Sequence, residues 1–124
     1  MRGRRSWWLL LVAVIGIGGV VGHELVAGAA RDLSPDEFLA RSLQEMAAGR
    51  INDALDTVRE AVRLAPDNPV AHNNAGVILN AGGHYELAAR ELRIAVRLAP
   101  DYEEAHYNLA HVYLNLARQY QRGR

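Results

Sequence analysis

The chain has 124 residues, which suits one small domain and leaves no room for a large two-domain enzyme. Its 14 basic and 14 acidic residues cancel, so no bulk charge draws it toward nucleic acid or an acidic lipid surface. Cysteine and lysine are both absent, which excludes thiol catalysis, disulfides, thiolate metal sites, Schiff-base chemistry and the phosphate-gripping lysine of a P-loop.

In chain order, the first segment reads as an address. Arg2, Arg4 and Arg5 precede an uninterrupted apolar stretch from Trp7 to Gly22, and residues 1–30 end on small side chains. In one reading this is a cleaved secretory signal, with Ala27-Gly28-Ala29 as the cutting site. In the other it is a retained membrane anchor through residues 7–30, with Trp7 and Trp8 at the headgroup level beside the arginines. The clean stretch makes roughly 24 Å of helix, short of a ~30 Å hydrocarbon core, so length alone does not separate the two. The paired tryptophans favour the anchor. Either way the positive end stays in the cytoplasm, and everything after residue 30 lies on the periplasmic or exterior side.

A short linker, 31–34, leads into helical sequence. Ser34-Pro35-Asp36-Glu37 spells a capping box with proline at the first helical position, and predicts a helix over 35–48. Gly49 supplies a left-handed turn, and a second helix follows over 51–64. Asp67 or Asn68 caps a third, 69–81, opened by Pro69. Gly83 marks another turn before a fourth helix, 85–98. A fifth, 102–121, starts at a weaker version of the box, Asp101 with Glu104.

These elements repeat with a period of 34. Ala61-Val62-Arg63-Leu64-Ala65-Pro66-Asp67 recurs without change as Ala95-Val96-Arg97-Leu98-Ala99-Pro100-Asp101. The same shift places Pro35 on Pro69, Gly49 on Gly83, Ala54 on Ala88, Arg59 on Arg93, and Ala71, His72 and Asn74 on Ala105, His106 and Asn108. Such a period, with two helical runs and a terminal proline per unit, describes stacked helical hairpins. Small residues at Gly76, Ala88, Ala54 and Ala95 let helices cross closely, while Leu92, Tyr85 and Val58 fill the remaining space.

On these residues the chain resembles the tetratricopeptide repeat (TPR) family over 35 to about 121. The window 69–102 matches best, through Gly76, Gly83, Tyr85, Ala88, Leu92, Ala95 and Pro100. His72, Ala75 and Leu79 depart from the aromatic and leucine positions of the pattern, and the first helix of 35–68 is degenerate, with Arg41, Ser42 and Glu45 at motif positions. The resemblance implies an all-α helical-hairpin solenoid of about two and a half TPR units (35–68, 69–102 and a partial repeat or capping helix, 103–124) behind an N-terminal apolar helix. It also implies binding of a peptide or protein segment on the concave face of the first helices. Carried over position by position, that partner-binding groove consists of Leu39, Leu43 and Met46, then Asn73, Val77 and Asn80, then Tyr107, His111 and Leu114. The clamp for acidic C-termini found in some relatives is not expected, because lysine is absent and Leu39 and Leu43 fall at clamp positions.

No catalytic, cofactor or metal constellation stands out, and the chain reads as a scaffold rather than an enzyme. His106 and His111 point ~140° apart on a helix and cannot chelate together. His72 and His106 read as structural replacements for an aromatic. Asp53, Asp56, Glu60, Arg59 and Arg63 read as a solvated ion-paired face, and Arg90, Arg93 and Arg97 as pairing with Glu86 and Glu91 or meeting an acidic partner. The final helix lacks the second helix of a full unit, which admits an alternative role as a self-assembling oligomerisation module completed by a second copy or a partner helix. Aromatic content is low and basic residues are not in excess, so nucleic acid is not an expected partner.

Overall fold

The computed structural model describes residues 32–124; the anchor or signal expected over residues 1–30 lies outside them. Ser34–Arg124 form a compact unit of five helices: α1 (Pro35–Ala47), α2 (Ile51–Leu64), α3 (Pro69–Ala81), α4 (Tyr85–Leu98) and α5 (Glu103–Arg122). Among the described residues no helix is long and apolar enough to cross a membrane.

Local chemistry sets the boundaries. The Ser34 hydroxyl accepts from the Glu37 amide at 3.2 Å, and the Glu37 carboxylate accepts from the Ser34 amide at 2.7 Å. That closes the capping box ahead of Pro35. Asn68, not Asp67, caps α3, accepting from the Val70 amide at 2.9 Å. The box expected from Asp101 and Glu104 does not form. Tyr102 is the N-cap of α5 without a side-chain cap bond, and Glu104 instead accepts from Asn73 across the repeat interface at 3.3 Å. A tertiary partner has taken the carboxylate. Gly49 and Gly83 adopt φ of 77° and 79°, where a side chain would be strained, and reverse the chain between the helices of each hairpin.

α1 pairs with α2 and α3 with α4, while α5 lies against α4 and α3. The first helices also approach one another, α1 to α3 and α3 to α5, whereas α2 and α4 make no close approach. The stack therefore curves with α1, α3 and α5 on its inner side.

The hairpins close because small residues oppose each other. Ala54, Ala61, Ala88 and Ala95 are fully buried, around Val58, Ile78, Leu92 and Val112. Opposite them in the first helices stand Ser42 and Gly76, one repeat apart. Ser42 is buried and satisfies its hydroxyl by donating to the Leu39 carbonyl at 2.8 Å. A Cβ at Gly76 would fall onto Leu92 Cγ and lie 3.0 Å from both of its Cδ atoms.

Each hairpin carries one part-buried polar tie from the same position of its second helix, Thr57 or Glu91. In the first, Thr57 donates to Glu45 at 2.6 Å, and Arg41 Nε donates to the other carboxylate oxygen at 2.8 Å. Burial by itself would raise the Glu45 carboxyl; the Thr57 and Arg41 hydrogen bonds, with the charges of Arg41 and Arg50, outweigh it and hold the carboxyl below its ordinary value. In the second hairpin Glu91, one repeat after Thr57, meets His72 Nδ1 at 2.7 Å. The other ring nitrogen of His72 donates to the Pro66 carbonyl at 2.7 Å, since a carbonyl only accepts. His106 repeats that second bond, to the Pro100 carbonyl at 2.8 Å. Both histidines are thus structural, locking each first helix to the proline that ends the preceding unit.

Candidate functional site

The positions expected to line the concave groove divide into two groups. Leu39 and Asn73 are buried, at 6% and 0% exposure, whereas Tyr107 at the same register is 73% exposed. The next first helix covers this position in the two earlier units, and no helix follows α5 among the described residues. Leu39 belongs to the apolar core, with Met46 packed half-buried against it. Leu43 and Leu114 are exposed.

The remaining residues come together. Val77 and Asn80 of α3 face Tyr107, Asn108 and His111 of α5 across a trough of about 280 Å³, with Leu92 and Val112 at its floor. Leu39, Leu43 and Met46 do not line it.

A ladder of amides fixes the width of this trough. Asn108 donates to the Asn73 side-chain oxygen at 3.0 Å, and Asn115 donates to the Asn80 side-chain oxygen at 2.9 Å. The rungs sit two helical turns apart, roughly 10 Å along α5. Asn73 also donates to the Tyr102 hydroxyl and to Glu104, each at 3.3 Å, so its polar atoms are committed within the fold. Burial, then the Glu104 charge, pushes the Tyr102 phenol up despite that bond from Asn73. Asn80 lies 3.5 Å from His111 Nδ1. What a ligand in the trough can reach is therefore the apolar Val77, the second hydrogen and side-chain carbonyl of Asn108, the His111 ring and the Tyr107 hydroxyl.

Asn108 and Asn115 were not among the expected groove residues. The signal for them is a 35-residue offset, one more than the repeat, linking Asn73 to Asn108 and Asn80 to Asn115. On the outer side, Arg59 pairs with Asp56 at 3.0 Å and Arg63 with Glu60 at 2.9 Å. Arg90, Arg93 and Arg97 form no ion pair with Glu86 or Glu91 in the structure; Glu91 turns inward to His72. Leu55, Val62, Leu79 and Leu87 line an apolar hollow there, of about 280 Å³ like the trough. Among the described residues no three His, Asp or Glu side chains are grouped to hold a metal ion.

Comparison with known proteins agrees with this architecture. A TPR repeat family model matches residues 76–116, which span α3 to α5. The fold is similar to that of the Sgt2 TPR domain from Aspergillus fumigatus, with 26% sequence identity and a TM-score of 0.65 over 68% of this chain and 56% of that one. The chain thus spans little more than half the length of that solved chain. No curated protein matches it. Together the repeat match over residues 76–116 and the structural likeness support a TPR-like, all-helical stack of hairpins.

Proposed function

We propose that this chain is a protein-interaction scaffold that holds a peptide or protein segment in the trough between α3 and α5. The carrying observation is that Val77, Asn80, Tyr107 and His111, from successive first helices, line one cavity whose walls the Asn73–Asn108 and Asn80–Asn115 bonds hold apart. A pre-set groove with a few oriented polar groups binds without the cost of ordering its own walls. In the same reading, residues 7–30 tether the scaffold to a membrane with its repeats outside the cytoplasm, or are removed after export; the arginine-then-apolar order supports this.

The test places a photo-cross-linking residue at Tyr107, or at Leu87 on the outer side, in the full chain expressed in its host. The reading expects one discrete adduct from Tyr107, lost on His111→Ala, and none from Leu87. An adduct from Leu87 with none from Tyr107 overturns it. N-terminal mass analysis of the membrane and soluble fractions separates tether from cleaved leader. An intact N-terminus in the soluble cytoplasmic fraction would contradict both.

A further inference from the structure

From the geometry we infer a second recognition element beside this trough: Arg118 and Arg122 form a subsite for the carboxylates of an acidic partner segment. The inference rests on the trough reading and names the chemistry of what lies in it.

α5 outruns its repeat. It has 20 residues where α1 and α3 have 13, and the added length carries its final turns past the Gly83 reversal and alongside the start of α4. There Gly83, Tyr85, Asn115, Arg118, Gln119 and Arg122 line a half-open cavity of about 390 Å³. Asn115 of this cavity donates to Asn80, which lines the trough, so one hydrogen bond links the linings of the two hollows.

No acid lines this cavity. Arg118 and Arg122 have no carboxylate within 4.0 Å among the described residues, as is also true of Arg90, Arg93 and Arg97 on the outer side, but Arg118 and Arg122 line one cavity together. Glu86 lines another hollow with Gln119 and Arg124 and pairs with neither arginine. Arg122 stands in the last turn of α5, where any cation offsets the helix's carbonyl end. Arg118 lies a turn earlier and has no such duty.

Spacing identifies the ligand. Side chains four apart on a helix stand about 5–6 Å apart, and alternate side chains of an extended peptide about 6.8 Å apart. Two planar guanidinium forks at that separation match two carboxylates at alternate positions of an extended segment, each able to accept bidentately. The Gln119 amide and Tyr85 hydroxyl add neutral donors beside them. Gly83 keeps the edge clear, since nothing lies within 4 Å of where its side chain would be.

The experiment is fluorescence anisotropy on the full chain with three labelled octapeptides. One alternates glutamate with valine, the second replaces glutamate by glutamine, and the third by phosphoserine. The subsite predicts that the glutamate peptide binds about tenfold more tightly than the glutamine peptide. That preference falls at least severalfold in Arg118→Gln and in Arg122→Gln, and persists in Arg93→Gln on the outer side. Equal affinity for the glutamate and glutamine peptides overturns the subsite, as does a loss in Arg93→Gln equal to that in Arg118→Gln. Tighter Arg118-dependent binding of the phosphoserine peptide overturns the carboxylate assignment. The trough is read separately: if Tyr107→Ala leaves the affinity of all three peptides unchanged, the trough reading fails, whereas glutamine-peptide binding that depends on Tyr107 keeps it when the subsite fails.

Discussion

Gly76→Ala is a sharp probe of the packing, because two effects of opposite sign meet at one methyl group. Glycine inside a helix costs about 0.5–1 kcal/mol relative to alanine, so propensity alone makes the change stabilising. The added Cβ, however, would fall onto Leu92 Cγ and lie 3.0 Å from both Cδ atoms, so the fully buried Leu92 must shift to admit it. Overpacking of this kind costs about 1–3 kcal/mol, so after the propensity gain the single change should lower stability by about 1 kcal/mol. At about 4–8 °C per kcal/mol for a domain of this size, the melting temperature should fall visibly. Leu92→Ala removes the three atoms in the way, at its own cost of about 2–5 kcal/mol. In that background Gly76→Ala should become stabilising, by up to about 1 kcal/mol, because propensity now acts alone in a cavity. Urea melts of the four proteins followed by far-UV circular dichroism give the cycle. The same sign for Gly76→Ala in both backgrounds would refute the assignment of this residue as the point of closest helix approach.

Three further outcomes follow from the polar ties. Asn73→Ala leaves Asn108, Tyr102 and Glu104 without the amide they share, and should cost about 1–3 kcal/mol by chemical denaturation; a neutral result would mean that water replaces the amide freely. His72→Phe removes both bonds of a buried ring and should destabilise by a similar ~1–3 kcal/mol, while His106→Phe, exposed and singly bonded, should change much less in paired thermal melts; equal losses would show that the Glu91 contact contributes nothing. The Glu45 carboxyl is held low in the folded state, so its share of the stability is present above the unfolded carboxylate value and is lost as pH falls through the folded one. Urea midpoints should therefore fall more steeply with acidification in the wild type than in Glu45→Gln, and parallel curves would contradict this.

Most of the backbone was legible because its punctuation is local. Ser34-Pro35 and Asn68-Pro69 open helices and Gly49 and Gly83 close hairpins, so α1 to α4 lie within a residue of where the sequence places them. The failure at Asp101 has a tertiary cause: Glu104 can serve a local cap or Asn73 of the neighbouring unit, and only the folded stack decides between them. The groove was half legible. The family resemblance pointed to the first helices, and four of the nine residues carried over from it, Val77, Asn80, Tyr107 and His111, line the trough. It could not show that Leu39 and Asn73 are covered by the following helix, since burial at that register depends on what stacks next. The apparent degeneracy of the first unit also resolves in three dimensions. Ser42 is the small crossing residue at that register, and Glu45 is buried because Thr57 and Arg41 satisfy it.

The account depends most on the inner trough, rather than the outer face, being the binding surface. Peptides selected from a random library on the immobilised full chain, then measured in solution against variants, address this directly. The account predicts that Tyr107→Ala and Val77→Ser each weaken the selected peptides by about tenfold while Leu87→Ala leaves them unchanged. Peptides whose affinity falls with Leu87→Ala and survives both trough substitutions would contradict it.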